Sequence, residues 1–270
     1  RPPIYTLFPY TTLFRSGADL GDISLLELVE LLGREGGAYR FVIGEVARAS
    51  HIAEGTSALC ANLAGQLTGP VQLAAPATAV ELDDDGVAVR LGNGDAIEAD
   101  HAVIAVPTAG LSRIDFTPNL PGHIRDANCA IRYGQATKVA VAVAPRKPLH
   151  AKAFIGGSTM VAGWRTRRVL YGFASPNAEN CDDNTLADDL CRGFGVEPQT
   201  IERVEVMRWP QDQFTCGTYA HVAPGRFTEF RRSLPQVHGR VRFAGAQRSS
   251  WPIFMEGAVE SGELAAQSLS

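Results

Sequence analysis

The sequence predicts a mixed α/β chain in two interleaved parts. A domain with a mixed or parallel sheet is interrupted by an antiparallel-sheet domain, and the chain returns to the first at its C-terminus. Three observations carry this. Alternating apolar runs separated by turn residues fill 77–99. His101 to Pro107 then forms a near-continuous apolar run, the pattern of a strand buried on both faces of a parallel sheet. Beyond Gln135 β-rich runs recur at short intervals, before a strand, loop and helix close the chain.

The elements follow in order. Asp22 to Leu32 has apolar residues at helical spacing, with Asp22 or Ser24 as N-cap and Gly36-Gly37 as the stop. Thr56 to Leu67 reads as a second helix, with Ala58, Leu59, Leu63 and Leu67 on one face and Gly69-Pro70 ending it. Val71 to Ala74 reads as a short strand. Ala77–Leu82, Val87–Leu91 and Ala96–Ala99 form a β-meander, turned at Asp84-Asp85-Gly86 and at Gly92-Asn93-Gly94-Asp95. Thr137–Ala144, Lys152–Ile155, Thr159–Trp164, Val169–Ala174 and Val204–Trp209 are the later strands. Asn184 to Arg192 is helical, capped by Asn184 and stopped by Gly193. Val241 to Gly245 is a strand running into a loop, and Phe254 to Ser268 is the final helix.

Composition narrows the function classes. The 270 residues are 45% hydrophobic and 20% charged, enough apolar mass for a sizeable core. A net charge of −4 leaves no electrostatic footprint for nucleic acid. No apolar run approaches the ~20 residues of a membrane helix. Five widely spaced cysteines without a C-x-x-C pair argue against a disulfide scaffold or zinc site, and fit reduced thiols in a cytoplasmic protein. The six histidines lack metal-ligand spacing, and no G-x-S-x-G elbow exists. Asp83-Asp84-Asp85 reads as a solvated turn; Asp182-Asp183 and Asp188-Asp189 read as helix N-terminal charge.

Thr6 to Ser16, TLFPYTTLFRS, resembles an in-frame translation of a sequencing-library adapter. The expectation is a non-native tail over 1–16, with the protein entering near Gly17 from a lost upstream segment.

Four further patterns, in this order along the chain, are similar to the flavin-containing amine oxidase family of monoamine and polyamine oxidase type. They are Glu54 to Leu59 with Val71–Ala79 and Ala99–Thr108; Gly134-Gln135-Ala136-Thr137-Lys138; Trp209 to Tyr219 followed by Ala223-Pro224-Gly225; and the string from Phe243 to Glu263. The resemblance implies an incomplete two-domain FAD-binding fold. Residues 17–52 would be a helical part of the substrate domain, 53–126 a FAD-domain segment, 127–211 the substrate domain and 212–270 the C-terminal FAD-domain segment.

For the site, the resemblance implies non-covalent FAD, a small-molecule amine and oxygen. Tyr219 and Phe254 would flank the substrate as two aromatic faces. Lys138, on a strand with Val139, Val141 and Val143, would sit near flavin N5, and Trp209 would buttress the slot. Gly245, Ala246, Gln247, Phe254, Met255 and Ala258 would line the flavin, with Gly257 and Gly262 allowing close helix packing, and the backbone at Ala77 would read the adenine. The reaction implied is oxidation of an amine to an imine with oxygen reduced to hydrogen peroxide. The alternatives are a desaturase or protoporphyrinogen-oxidase-like flavoprotein, or a non-catalytic fragment.

The sequence departs from the family pattern in several places. No G-x-G-x-x-G occurs to cradle a pyrophosphate. Gln247 stands for an acid, Ile253 for glycine and Phe254 for tyrosine. Thr218 stands where some members carry a flavin-linking cysteine; Cys216 is two residues off.

Overall fold

The computed structural model describes residues 18, 20–34, 52, 54–144, 153–166, 168–232, 236–251 and 254–269. The adapter-like tail, Gly36-Gly37, His51, His150, Lys152 and Ile253 lie outside the described residues.

Among the described residues a 3-10 turn (Leu20–Asp22) comes first, followed by helix α1 (Leu25–Arg34) and helix α2 (Thr56–Ala64). A four-stranded sheet follows, in the order β3-β2-β1-β5, from β1 (Ala77–Leu82), β2 (Val87–Leu91), β3 (Ala96–Ala99) and β5 (Asp115–Thr117). The first three form the expected antiparallel meander, while β5 joins β1 in parallel. The strand β4 (Ala102–Ile104) pairs in parallel with β14 (Val241–Phe243), 139 residues later by Val241↔Ala102, beside β13 (Val237–His238). The short helices α3 (Thr108–Leu111) and α4 (Gly122–Ala130) connect these strands.

The second assembly is a five-stranded antiparallel sheet in the order β11-β7-β10-β9-β8. Its strands are β7 (Thr137–Val143), β8 (Ala153–Ile155), β9 (Met160–Thr166), β10 (Val169–Ala174) and β11 (Ile201–Arg208). Helix α5 (Asp183–Gly193) covers one face, placing fully buried Leu186 and Leu190 against Val139, Val141, Val143 and Leu170. Two residues allow the close approach: a Cβ at Gly172 would come within 2.8 Å of the Leu190 side chain, and one at Gly193 within 2.4 Å of the Phe154 ring. A two-stranded ladder, β6 (Ile131–Tyr133) with β12 (Ala220–Val222), lies between the assemblies in sequence. Helix α6 (Phe227–Arg232) and helix α7 (Met255–Gln267) complete the described chain.

Some sequence expectations change. Val71 to Ala74 is not a strand: among the described residues no strand pairs with it, and Val71 and Leu73 are 52% and 84% exposed. Helix α2 ends earlier than Leu67, with Gly65 as its C-cap, and Leu59, Leu63 and Leu67 are exposed. β4 is buried only at Ile104, so the 101–107 run is not a doubly covered strand. The α5 cap is Asp182, which accepts the Thr185 N–H, rather than Asn184. Asp189 is not N-terminal charge; it is buried within α5. There it accepts hydrogen bonds from the Ser158 and Thr159 hydroxyls and the Thr159 and Met160 amides.

Candidate active site

Strand alternation decides which way the central lysine points. Val139, Val141 and Val143 turn under α5, so Lys138, Ala140 and Ala142 project from the opposite face. Register brings Phe173 of β10 directly opposite Lys138, and pairs Tyr171 with Trp164 of β9. The same face therefore carries Lys138 and three aromatic rings. Trp164 stacks on Tyr171 at 5.8 Å, and the Lys138 Nζ lies 5.9 Å from each of their ring centroids. Phe173 continues the aromatic run to Tyr219, at 6.5 Å and 56°. The valines expected to surround Lys138 are thus on the other side of the sheet; its neighbours are rings.

The other wall comes from the segment after β11. Trp209 opens a short 3-10 turn, and Asp212 shapes the next bend by accepting from the Phe214 and Thr215 amides and the Thr215 hydroxyl. The chain then crosses β6 at Gly217, which has φ +153°; a Cβ there would lie 2.6 Å from the Tyr133 Cβ. Thr218 N donates to the Gly134 carbonyl (2.8 Å) and Gly134 N to the Tyr219 carbonyl (3.0 Å), which fixes Tyr219 beside the sheet. The Tyr133 hydroxyl accepts the Thr108 N–H at 2.9 Å and pairs with its hydroxyl at 3.0 Å. Burial pushes the Tyr133 phenol up, partly offset by those Thr108 bonds. The result is a cavity of about 360 Å³ lined by Lys138, Trp209 and Tyr219 together with Tyr133, Phe173 and Thr218.

Three of the four residues expected to act on substrate therefore meet in one cavity. Phe254, the fourth, is not among its lining residues; it precedes α7 in extended conformation, φ −106° and ψ 155°. Trp164, Tyr171, Phe173 and Tyr133 escaped sequence reasoning. The signal was available in part, as aromatic residues in phase with Lys138 once the strand register is known.

The remaining expected residues lie on the 245–258 segment and on β1. Gly245 has φ +137°, and a Cβ there would fall 2.7 Å from the Gln247 amide. Its N–H is held by the Ser261 hydroxyl at 2.8 Å. Ala246 to Arg248 forms a 3-10 turn. A Cβ at Gly257 would meet the Trp251 carbonyl at 2.0 Å, so α7 packs there as only glycine permits; Gly262 has nothing within 4 Å, against expectation. No side chain caps α7, and Met255 and Ala258 in its first turn are exposed. Ala77 begins β1 beside a register shift between Ala77 and Ala79.

Arg248 was also missed. It is 7% exposed, bonded to Gln236 and to the Asn128 amide oxygen (2.8 Å), and stacked 5.1 Å over Phe243. Burial pulls its guanidinium down to about 10.

These residues suit a planar, polar prosthetic group. The α7 N-terminus offers an uncapped helix end, and the buried Gln247 amide nitrogen has no hydrogen-bond partner. Among the described residues no group of three His, Cys, Asp or Glu side chains is placed to hold a metal ion, and no helix is long and apolar enough to cross a membrane.

Comparison with known proteins gives one consistent family. The profile described as flavin containing amine oxidoreductase matches residues 13–270. An L-amino acid dehydrogenase of Synechocystis sp. is 25% identical over 95% of this chain and 57% of its own length. The flavin-containing amine oxidase B of Cavia porcellus is 26% identical over 79% of this chain and 45% of its own. Among solved structures, a putrescine oxidase variant superposes with a TM-score of 0.86 at 19% identity, covering 97% of this chain and 64% of that one. Cyclohexylamine oxidase from Brevibacterium oxydans IH-35A superposes at 0.74 and 20% identity. The chain thus spans about half the length of the curated relatives, and the structural likeness speaks to fold.

Proposed function

Because this chain belongs to the flavin containing amine oxidoreductase family, we propose that the whole protein oxidises a small amine to an imine, using non-covalently bound FAD and molecular oxygen. The observation that carries the proposal is the meeting of Lys138, Trp209 and Tyr219 in one cavity. A flavin, when bound, supplies the two-electron chemistry.

This chain's residues would do the rest. Gly245, Ala246, Gln247, Met255 and Ala258 would hold the cofactor from the loop and the α7 N-terminus, with the Ala77 backbone at its distal end. The family position of Gln247 is acidic, and an amide there accepts more weakly but also donates. Thr218 offers no thiol for a covalent link. Tyr219 and Phe173 would bracket an amine in a low-water, π-rich slot, which favours the neutral amine that oxidation needs. Trp209 and Tyr133 would limit its length. Phe254 would face the amine from the cofactor side. Lys138, its Nζ over the stacked Trp164 and Tyr171 rings, would offer a hydrogen-bond donor at the site.

The relatives differ over the electron acceptor, since one is named a dehydrogenase and others oxidases. The test is a full-length version of the protein loaded with FAD and mixed anaerobically with small amines. Amine-dependent bleaching of the flavin, followed by peroxide release on admitting air, is the expected result. Bleaching without peroxide would overturn oxygen as acceptor. No bleaching with any amine, but bleaching with an apolar substrate bearing a saturated carbon–carbon bond, would overturn amine oxidation.

A further inference from the structure

Around helix α1 the usual order of burial is inverted. Leu25, Leu26 and Val29 are 72%, 54% and 56% exposed, while the buried side chains beside them, Ser24 and Glu27, are polar. An open groove bordered by Leu26, Val29 and Phe227 runs between α1 and α6. The ties from this stretch to its neighbours are hydrogen bonds and ion pairs, and two of them meet on one residue of β12.

Strand β12 pairs with β6 along one edge, and among the described residues no third strand joins its other edge. There both backbone groups of Val222 turn to α1 and its cap. The Val222 carbonyl accepts the Ser24 N–H at 2.9 Å, and the Val222 N–H donates to the Glu27 carboxyl at 2.7 Å. At this point α1 stands in for a third strand. One turn further along, Glu30 accepts from the Arg231 Nε of α6 at 2.9 Å, and the Arg231 Nη1 donates to the Ser249 carbonyl at 2.9 Å. One turn before, exposed Asp22 pairs with Arg132 of β6 at 3.4 Å.

We propose that α1 is a strap over the open edge of β12, fastened while the Glu27 carboxyl is protonated and loosened when it ionises. An ionised Glu27 would gain from the Val222 N–H and from Arg231, but it would lose its hydration next to a second carboxylate, Glu30. Burial outweighs the two attractions and pushes the Glu27 carboxyl up from 4.5 to about 7. The other groups packed around it are His221 of β12, with Asp22 and Arg132 acting on that ring, and the neutral Gln247 of the 246–248 turn.

The sign follows. Docked Glu27 holds its proton more tightly than released Glu27, so the strap is firmest below about 4.5, weakens as pH rises to about 7, and changes little beyond. His221 works in the opposite sense: burial lowers its pKa, which costs stability as pH falls below 6.5. Global unfolding would mix the two, whereas exchange at single amides separates them. The strap bears on both segments that frame the candidate site, since β12 directly follows Tyr219 and Arg231 reaches the loop at Ser249. None of this rests on the proposed reaction.

The test is backbone hydrogen exchange by NMR in the 270-residue chain between about pH 4.5 and 8, with each rate corrected for its intrinsic pH dependence. Val222 N–H reports on the strap, and Ala223 N–H, which donates to the Ala130 carbonyl at 2.9 Å on the β6 side, is the control. Protection at Val222 should fall on the order of a hundredfold by pH 7 and then level off, with a far smaller change at Ala223. Glu27→Gln should flatten the Val222 profile. Protection at Val222 that ignores pH, a fall shared equally by Ala223, or a fall that survives Glu27→Gln would overturn the strap. Should Glu27→Gln fail to fold, the two amides of the unmodified chain decide by themselves.

Discussion

On β7 the side chains of Val139, Val141 and Val143 are fully buried, whereas Lys138, Ala140 and Ala142, one residue out of phase, stay half exposed. The two faces belong to the same strands and differ in what covers them. Under α5 the sheet meets leucines, and glycines at 172 and 193 remove the Cβ atoms that would hold the layers apart. On the other side small alanines leave room; Lys138 and Phe173 line a cavity, and the stacked rings of Trp164 and Tyr171 lie beside the Lys138 Nζ. Core packing is concentrated on one face, and the candidate site lies on the other. Substitutions on the first should therefore change folding, and substitutions on the second should change binding with little effect on folding.

The largest expected effect is on the covered face. Leu190 is fully buried in α5, and Leu190→Ala should cost about 3–4 kcal/mol in urea unfolding. A loss below about 1 kcal/mol would mean that α5 is not the core's main cover. Next is Asp189. Burial raises its pKa, but the Ser158, Thr159 and Met160 hydrogen bonds outweigh it and hold the carboxyl at about 2. A depressed carboxyl stabilises the fold above its ordinary value near 3.8, and that contribution is lost as pH falls towards 2. Asp189→Asn should remove about 2 kcal/mol of pH-dependent stability between pH 5 and pH 2, read as a flatter acid transition than the parent shows. The smallest effect belongs to Lys138. Its contacts with Trp164 and Tyr171 are cation–π, so Lys138→Ala should shift stability by less than about 1 kcal/mol. A loss as large as that of Leu190→Ala would erase the distinction between the faces.

The sequence displayed the local elements better than their partners. Ala77 to Ala99 could be read as a meander because turn residues at 84–86 and 92–95 punctuate strict alternation. The parallel partner of β1, Asp115–Thr117, could not, because three residues carry no period and the pairing is set by tertiary contact. Lys138 was legible as a site residue but not as to direction: its three valine neighbours suggested burial, and only the two-residue period of the strand puts them on the opposite face. Asp182 and Asn184 are both good helix caps, and geometry chose the earlier one. The buried roles of Asp189, Arg248 and Glu27 were hidden because charge is read from sequence as surface. Their partners lie 29 or more residues away in the chain for Met160, Asn128 and Val222.

The chain contains three tryptophans, and two of them border the Lys138 cavity or its lysine: Trp209 lines the wall and Trp164 stacks on Tyr171 under the ammonium. Indole emission responds to nearby charge and to displaced water. The aromatic face is therefore its own optical gauge: titration of a small amine into this chain can be followed by tryptophan fluorescence with no label and no cofactor, and substituting Trp209 or Trp164 in turn would tell from which side the ligand enters.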